Sequence, residues 1–239
     1  NTIEERTKLL EKAGLQNLII HPFDQAFSRL SAEEFVKNIL VDIFNIKKII
    51  IGHDHRFGRN RTANIDDLIL YGKEFGFEVE QISAQEIDEV STSSTKIRNA
   101  LNEGKIALAN EYLGYNYLFS GTVIHGKKLG RTIGFPTANL KVEESYKLIP
   151  AIGVYAVKCT VGTKTVNGML NIGTNPTVDG QNTSIEVHLF DFQEDLYDKK
   201  ITVELIKRIR DEQNFVSVDE LKEQLHKDKV FAEQLFENE

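Results

Sequence analysis

The chain has 239 residues, 41% hydrophobic and 27% charged, proportions that support folded cores and suit two domains or one large one. Thirty-six acidic residues against twenty-nine basic ones give a formal charge of −7, which excludes a surface built as a whole to grip nucleic acid or anionic lipid. Cys159 is the one cysteine and no apolar run approaches the ~20 residues of a bilayer span, so the chain is expected to be cytoplasmic, with no membrane partner and no disulfide.

Thr2 and Glu5 stand in capping-box spacing, and Leu9, Leu10 and Ala13 carry a helical face to a stop at Gly14. Asn17–Ile20 reads as a strand. Ser31 and Glu34 open a second helix bearing Phe35, Ile39, Leu40 and Ile43, and the apolar run Ile46–Ile51 predicts a strand ending at Gly52. A further helix through Ile65, Leu68, Leu70 and Phe75 passes Gly76 into a strand over Phe77–Ile82. Alternation of this kind predicts a parallel sheet covered by helices.

From about residue 118 the pattern changes: nine of the sixteen glycines fall between Gly121 and Gly180, and the apolar period shortens to two. Val154–Thr160 and Lys164–Met169 flank Val161-Gly162-Thr163 as a hairpin, and Ser184–Phe190 and Ile201–Ile209 follow as strands. Asn171–Thr177 reads as a turn-rich connection. Ser217 and Glu220 start a last helix with Val218, Leu221, Leu225 and Phe231 on one face. The expectation is an α/β domain over residues 1–114, then a small antiparallel barrel with a C-terminal helix over 118–239.

The densest chemical signal lies between Gly121 and Leu140. Gly126, Gly130 and Gly134 allow close backbone approach, and Lys127, Lys128 and Arg131 add positive charge, a combination that can hold a polyphosphate. A glycine-rich hairpin with a solvated basic tip fits the same residues. Strands, not a helix, are expected to follow, unlike the strand-loop-helix phosphate loop. Thr137 and Asn139 are two apart, so on an extended segment both present neutral oxygens on one side. Magnesium that arrives with ATP needs few more ligands than that. Ser184, Glu186 and His188 alternate with Ile185, Val187 and Leu189. Read alone this is a half-exposed strand; if its polar face lines a pocket beside Thr137 and Asn139, Glu186 becomes a general-base candidate.

Taken in order, Gly130-Arg-x-x-Gly-Phe-Pro-Thr-Ala-Asn139, Gly153-Val-Tyr155, Asn171-Ile-Gly173, Glu186-Val-His188 and Phe190-Asp-Phe192 with Asp195-Leu-Tyr197 resemble the flavokinase domain of the bacterial bifunctional riboflavin kinase/FAD synthetase family. The resemblance implies a six-stranded antiparallel barrel, with Mg²⁺ and ATP held through Thr137 and Asn139 and Glu186 activating the ribityl 5′-hydroxyl of riboflavin. It places Arg208, Arg210 and Glu212 near the flavin. Gly52-His-Asp54-His-Arg-Phe57-Gly58-Arg-Asn-Arg61 is similar to that family's Gly-x-Asp-Phe-x-Phe-Gly-x-x-Arg segment, with His55 in place of Phe. Ser93-Ser94-Thr95-Lys-Ile-Arg98 is similar to its Ser-Ser-Thr-x-Ile-Arg turn. These imply a Rossmann-like nucleotidyltransferase converting FMN to FAD, with Asp54, Phe57, Gly58, Arg61, Ser93, Ser94, Thr95 and Arg98 binding nucleotide or flavin. Hydroxyls and free amides at a helix start, with Arg98 one turn in, do favour an anion, although an ordinary N-cap reads the same way. The family's His-x-Gly-His motif does not occur in these 239 residues, so the first domain reads as lacking its first β-α unit. The expected function is ATP-dependent phosphorylation of riboflavin and adenylylation of FMN. The alternatives are a kinase with an inactive first domain and a flavin-binding regulator without turnover. A nucleic-acid-binding barrel runs against the acidic total.

Overall fold

The computed structural model describes residues 1–52, 55–82, 86–87, 90–126, 129–177 and 180–237, with backbone alone for 86–87, 90–91, 175–177 and 180–182. Two compact units result, Asn17–Ser91 and a second formed by Asn1–Gln16 with Thr92–Glu239.

In the unit 17–91, α2 (Gln25–Ser28) precedes α3 (Ala32–Glu34), which continues as a π-helix over Phe35–Val41. The capping box at Ser31 and Glu34 forms in both directions, with bonds of 2.8 and 3.1 Å. The wider π-turn changes the phase of the expected apolar face: Val36 is fully buried, whereas Ile43 is left 65% exposed. Strand β1 (Lys48–Gly52), α4 (Ile65–Phe75) and β2 (Glu78–Ile82) then make the expected β-α-β unit, with β1 and β2 parallel. Gly76 ends α4 in the left-handed conformation. A short antiparallel pair follows, β3 (Glu86–Ile87) with β4 (Val90–Ser91). Val36, Ile51, Phe57, Leu68 and Phe77 form the core. Asn17–Ile20, expected as a strand, belongs to none; β-branched composition favours extended chain, but a strand also needs a neighbour to pair with.

The second unit contains α1 (Ile3–Lys12), α5 (Ser94–Asn102), α6 (Ile106–Leu113) and a closed barrel. Its six strands are β5 (Leu118–Ile124), β6 (Ala138–Lys141), β7 (Gly153–Val161), β8 (Lys164–Thr177), β9 (Gly180–Leu189) and β10 (Lys200–Arg210). They close in the order β10-β5-β6-β9-β8-β7, with every neighbouring pair antiparallel. Closure removes both sheet edges, which a small β-domain would otherwise have to protect. The period-two pattern decides which side faces inward: Phe119, Val123, Tyr155, Val157, Cys159, Leu170, Ile172, Val187, Val203 and Leu205 fill the barrel. β7 and β8 meet through Gly162 and Thr163, with Gly162 at φ 60°, the positive angle of a two-residue hairpin turn. Asn171–Thr177 is not a connection. It continues β8 in register with β9 as far as the pair Thr177 and Gly180, because a ladder partner overrides weak turn propensity.

Helix α8 (Val218–Glu237) covers the outside of the wall, where Leu225, Ala232 and Leu235 meet Ala156 and Met169. Ser217 caps it as expected, accepting from Glu220 N–H at 3.2 Å, while the Glu220 carboxylate turns back to Val216 N–H at 3.1 Å.

Candidate active site of the barrel

The segment before β6 is shaped by two glycines. A Cβ on Gly126 would stand 2.2 Å from the Asn139 amide, and one on Gly130 would stand 2.2 Å from the Phe135 carbonyl. At Gly130 the neighbour is backbone, and only a residue without a side chain lets the chain fold back so closely; at Gly126 it is the Asn139 side chain. The loop contains one helical turn, α7 (Leu129–Thr132), where none was expected. Phe135 and Ile133 N–H groups both close onto the Gly130 carbonyl, at 2.8 and 3.2 Å. Gly134, at φ 87°, reverses the chain, and Phe135 is buried beneath it. Arg131 is exposed on α7. Lys127 and Lys128 lie outside the described residues, as do His53 and Asp54.

From here Pro136, Thr137, Ala138 and Asn139 run into the barrel wall. Asn139 pairs directly with Glu186 of β9, which pairs in turn with Asn171 of β8. Residues opposite one another in a ladder project from the same face. Asn139, Glu186 and Asn171 therefore form a row across three strands, on the outer face. Thr137 Oγ1 donates to Glu186 Oε2 at 2.9 Å. Val187, next to Glu186, points into the core.

Two clefts share Thr137, and the row lines the larger of them. The larger, of about 610 Å³, is bounded by Leu129 and Ile133 on one side and Phe215, Leu221 and Leu225 on the other, with Asn139, Asn171, Glu186 and His188 at its base. The smaller, of about 370 Å³, lies over Pro136, Ala138 and Leu189 and is bounded by Arg131, Asp195 and Tyr197. Thr137 lines both. The condition set for Glu186, a polar strand face lining a pocket beside Thr137 and Asn139, is thus met in the geometry. Asn171 was missed in sequence because its segment reads as a turn; the alternation Met169-Leu170-Asn171-Ile172 was the available signal.

The arginines of β10 separate. Two register shifts, between Leu205 and Lys207 and between Arg208 and Arg210, interrupt its pairing with β7, and such bulges re-aim side chains. Arg210 lines the larger cleft and makes a two-pronged pair with the buried Asp228 of α8, at 2.8–3.0 Å. Arg208 does not line that cleft. Its Nη2 donates to the Ile152 carbonyl at 2.6 Å, its guanidinium packs against Gly104, and its buried Nε has no hydrogen-bond partner. Glu212 lines the cleft and extends beside Gly173 and Asn171.

The residues expected to serve nucleotidyl transfer divide between the units. In 17–91, Phe57 exchanges backbone hydrogen bonds with Ala63, Gly58 sits at φ 72° against Ala32, and Arg61 is exposed. Ser93 caps α5 by accepting from Lys96 N–H at 3.3 Å, leaving Ser94 and Thr95 exposed on the first turn and Arg98 exposed one turn in, all in the barrel's unit.

A closed six-stranded antiparallel barrel with a C-terminal helix, preceded in the chain by a parallel α/β unit, is the architecture of the flavokinase class. The chain belongs to the bifunctional riboflavin kinase/FMN adenylyltransferase family. The family model for riboflavin kinase matches residues 113–236 and that for FAD synthetase matches 1–96. The bifunctional riboflavin kinase/FMN adenylyltransferase of Escherichia coli K12 is 40% identical over 235 residues, covering 98% of this chain and 74% of its own. That of Buchnera aphidicola from Schizaphis graminum is 42% identical over 240 residues, covering 98% and 76%. A solved structure from Streptococcus pneumoniae, described as a macrolide-efflux protein, superposes with a TM-score of 0.87 at 35% identity, covering 97% of this chain and 74% of that one. Among the described residues here, no helix is long and apolar enough to cross a membrane.

Proposed function

We propose that residues 118–239 transfer the γ-phosphoryl group of ATP to the 5′-hydroxyl of riboflavin, with Glu186 as general base, and that residues 1–114 carry adenylyl transfer from ATP to FMN. Riboflavin occupies the larger cleft, whose walls Leu129, Ile133, Phe215, Leu221 and Leu225 suit a flat aromatic ring. ATP occupies the smaller one, which Arg131 lines, with its phosphates directed toward Gly126 and Gly130 of the larger cleft's lining; Lys127 and Gly134 belong to the same loop in sequence. The hydroxyl oxygen attacks phosphorus, its proton passes to the Glu186 carboxylate, and the bond to the bridging oxygen of ADP breaks. Thr137 keeps that carboxylate turned toward the junction through its 2.9 Å hydrogen bond.

The donors also suit magnesium. Among the described residues no group of three or more His, Cys, Asp or Glu side chains could cage an ion. A hard cation that brings phosphate and water oxygens needs only a few neutral ligands, and Thr137 and Asn139 would supply them. When bound, Mg²⁺ neutralises charge on the phosphates. For adenylyl transfer, the roles carried over are phosphate binding for Ser93, Ser94, Thr95 and Arg98 and, separately, nucleotide or flavin binding for Asp54, Phe57, Gly58 and Arg61. The enzyme works in the cytoplasm without nucleic acid.

The observation that carries this reading is the junction itself, where Thr137 meets Glu186 with Asn139 in register. Glu186→Gln is nearly isosteric and removes only the proton acceptor, so ADP formation with riboflavin should fall on the order of 10²–10⁴-fold with the fold intact. Near-normal turnover by the folded variant would return Glu186 to a solvent-facing strand residue.

A further inference from the structure

Phosphoryl transfer uses Glu186 and leaves the residue two positions on without a task. His188 shares its outer strand face yet is only 8% exposed, and a buried imidazole requires a hydrogen-bond partner. Its Nδ1 lies 2.8 Å from the Pro136 carbonyl; since a carbonyl only accepts, Nδ1 carries the proton. The ring is held edge-on between Phe135, at 5.3 Å, and Phe190, at 5.8 Å, and Phe135 is backed by His226 of α8 at 4.9 Å.

The acceptor's place in the chain gives this bond its meaning. The ladder between β6 and β9 starts with Ala138 opposite Val187, so Pro136 and Thr137 stand just outside it. The peptide unit joining them is a rigid plane. Anchoring its oxygen sets the direction in which Thr137 projects, and where backbone pairing stops the His188 side chain takes over. We propose that His188 is a positioning residue of the kinase site: by donating Nδ1–H to the Pro136 carbonyl it holds the Thr137 hydroxyl on Glu186 and beside Asn139. This inference rests on the roles proposed for Thr137 and Glu186. Burial among aromatic rings keeps the imidazole neutral and Lys229 acts in the same direction, while the Pro136 carbonyl and Asp191 act against them; Glu186 and His226 are the other titratable neighbours. Neutrality with Nδ1 protonated leaves Nε2 bare.

The test compares His188→Leu, His188→Asn and Thr137→Ala in the full chain, with ADP formation from riboflavin as the readout. Leucine removes the donor and should lower kcat by roughly 10- to 10²-fold, the size that a displacement of about 1 Å produces, with the KM for riboflavin unchanged. Asparagine places an amide N–H near the former Nδ1 and should recover most of that loss. The inference is overturned if the leucine variant keeps full kcat while Thr137→Ala does not, or if the two His188 variants are equally impaired. A raised KM for riboflavin at unchanged kcat would overturn it too, making His188 a flavin contact. Full activity of Thr137→Ala would remove the role of Thr137 and that of His188 with it. Nitrogen-15 spectra of the wild-type imidazole give a reading independent of any variant's folding: a protonated Nδ1 and bare Nε2 at neutral pH support the assignment, and the opposite tautomer refutes it.

Discussion

Thr137 lines both clefts, so under the proposed function it is the residue where nucleotide and flavin would meet. Thr137→Ala with Asn139→Ala should weaken Mg-ATP use by the kinase, read as a raised KM for ATP and a lowered kcat. FAD formation from supplied FMN should not change; equal loss of both activities in a folded variant would show the labour to be divided otherwise. His188 also links this site to pH. Its folded-state pKa lies below the ordinary imidazole value of 6.5, chiefly through burial. As pH falls below that value the unfolded chain takes up a proton that the folded one refuses. Stability from this residue is therefore complete above about 6.5 and declines below it. Between about pH 7 and pH 5 the thermal midpoint of the wild type should fall more steeply than that of His188→Asn, which has no ring to titrate; parallel curves would count against it.

Helix α8 shows how one element completes the site that another provides. Its start and its place against the barrel were legible from capping spacing and 3.6-residue periodicity, but its apolar face only in part: Leu221 and Leu225 turn inward as expected, whereas Val218 is 58% and Phe231 40% exposed, and Ala232 and Leu235 pack on the wall instead. Its lock was not legible. Asp228 is 2% exposed and receives Arg210 with both prongs, while Gln224 donates to the same carboxylate at 2.9 Å. This pair ties α8 to the end of β10, from which Glu212, Gln213 and Phe215 continue along the larger cleft. Asp228→Ala leaves the partly buried Arg210 without its counter-charge and should cost on the order of 3 kcal/mol. The urea midpoint should drop with little change in slope, and riboflavin should bind more weakly. A change below about 0.5 kcal/mol, the usual size for a surface substitution, would mean that α8 is held by its apolar face alone.

Across the whole molecule, order in sequence and order in space part company. Helix α1 opens the chain yet folds with the barrel, as do α5 and α6. Glu5, legible only as a capping residue, accepts from Thr2 N–H at 2.8 Å and also from Ser120 N–H at 2.9 Å and Lys147 Nζ at 2.6 Å. The Lys147 side chain is fully buried and donates as well to the Leu118 carbonyl at 2.5 Å, with Tyr117 as an aromatic face at 4.5 Å. Lys147→Met should destabilise the fold by about 3–5 kcal/mol, because Glu5 remains buried without its cation. Adding Glu5→Gln should restore part of that loss, and a double variant no better than the single would refute the coupling. Calorimetry on the three proteins measures both effects.

What the sequence determined by itself is the local part. Alternation at period two placed the hydrophobic faces of β7, β9 and β10, and cap spacing started α1, α3 and α8, because each depends on neighbours within a few residues. Only the tertiary structure decided that Glu186 stands between Asn139 and Asn171, that Asn171 belongs to a strand, and that Arg208 turns away from the cleft while Arg210 lines it. The reason is pairing. Register between strands some fifty residues apart, and the bulges that interrupt it, are set by how a barrel closes on its core, and no short stretch of sequence contains that constraint.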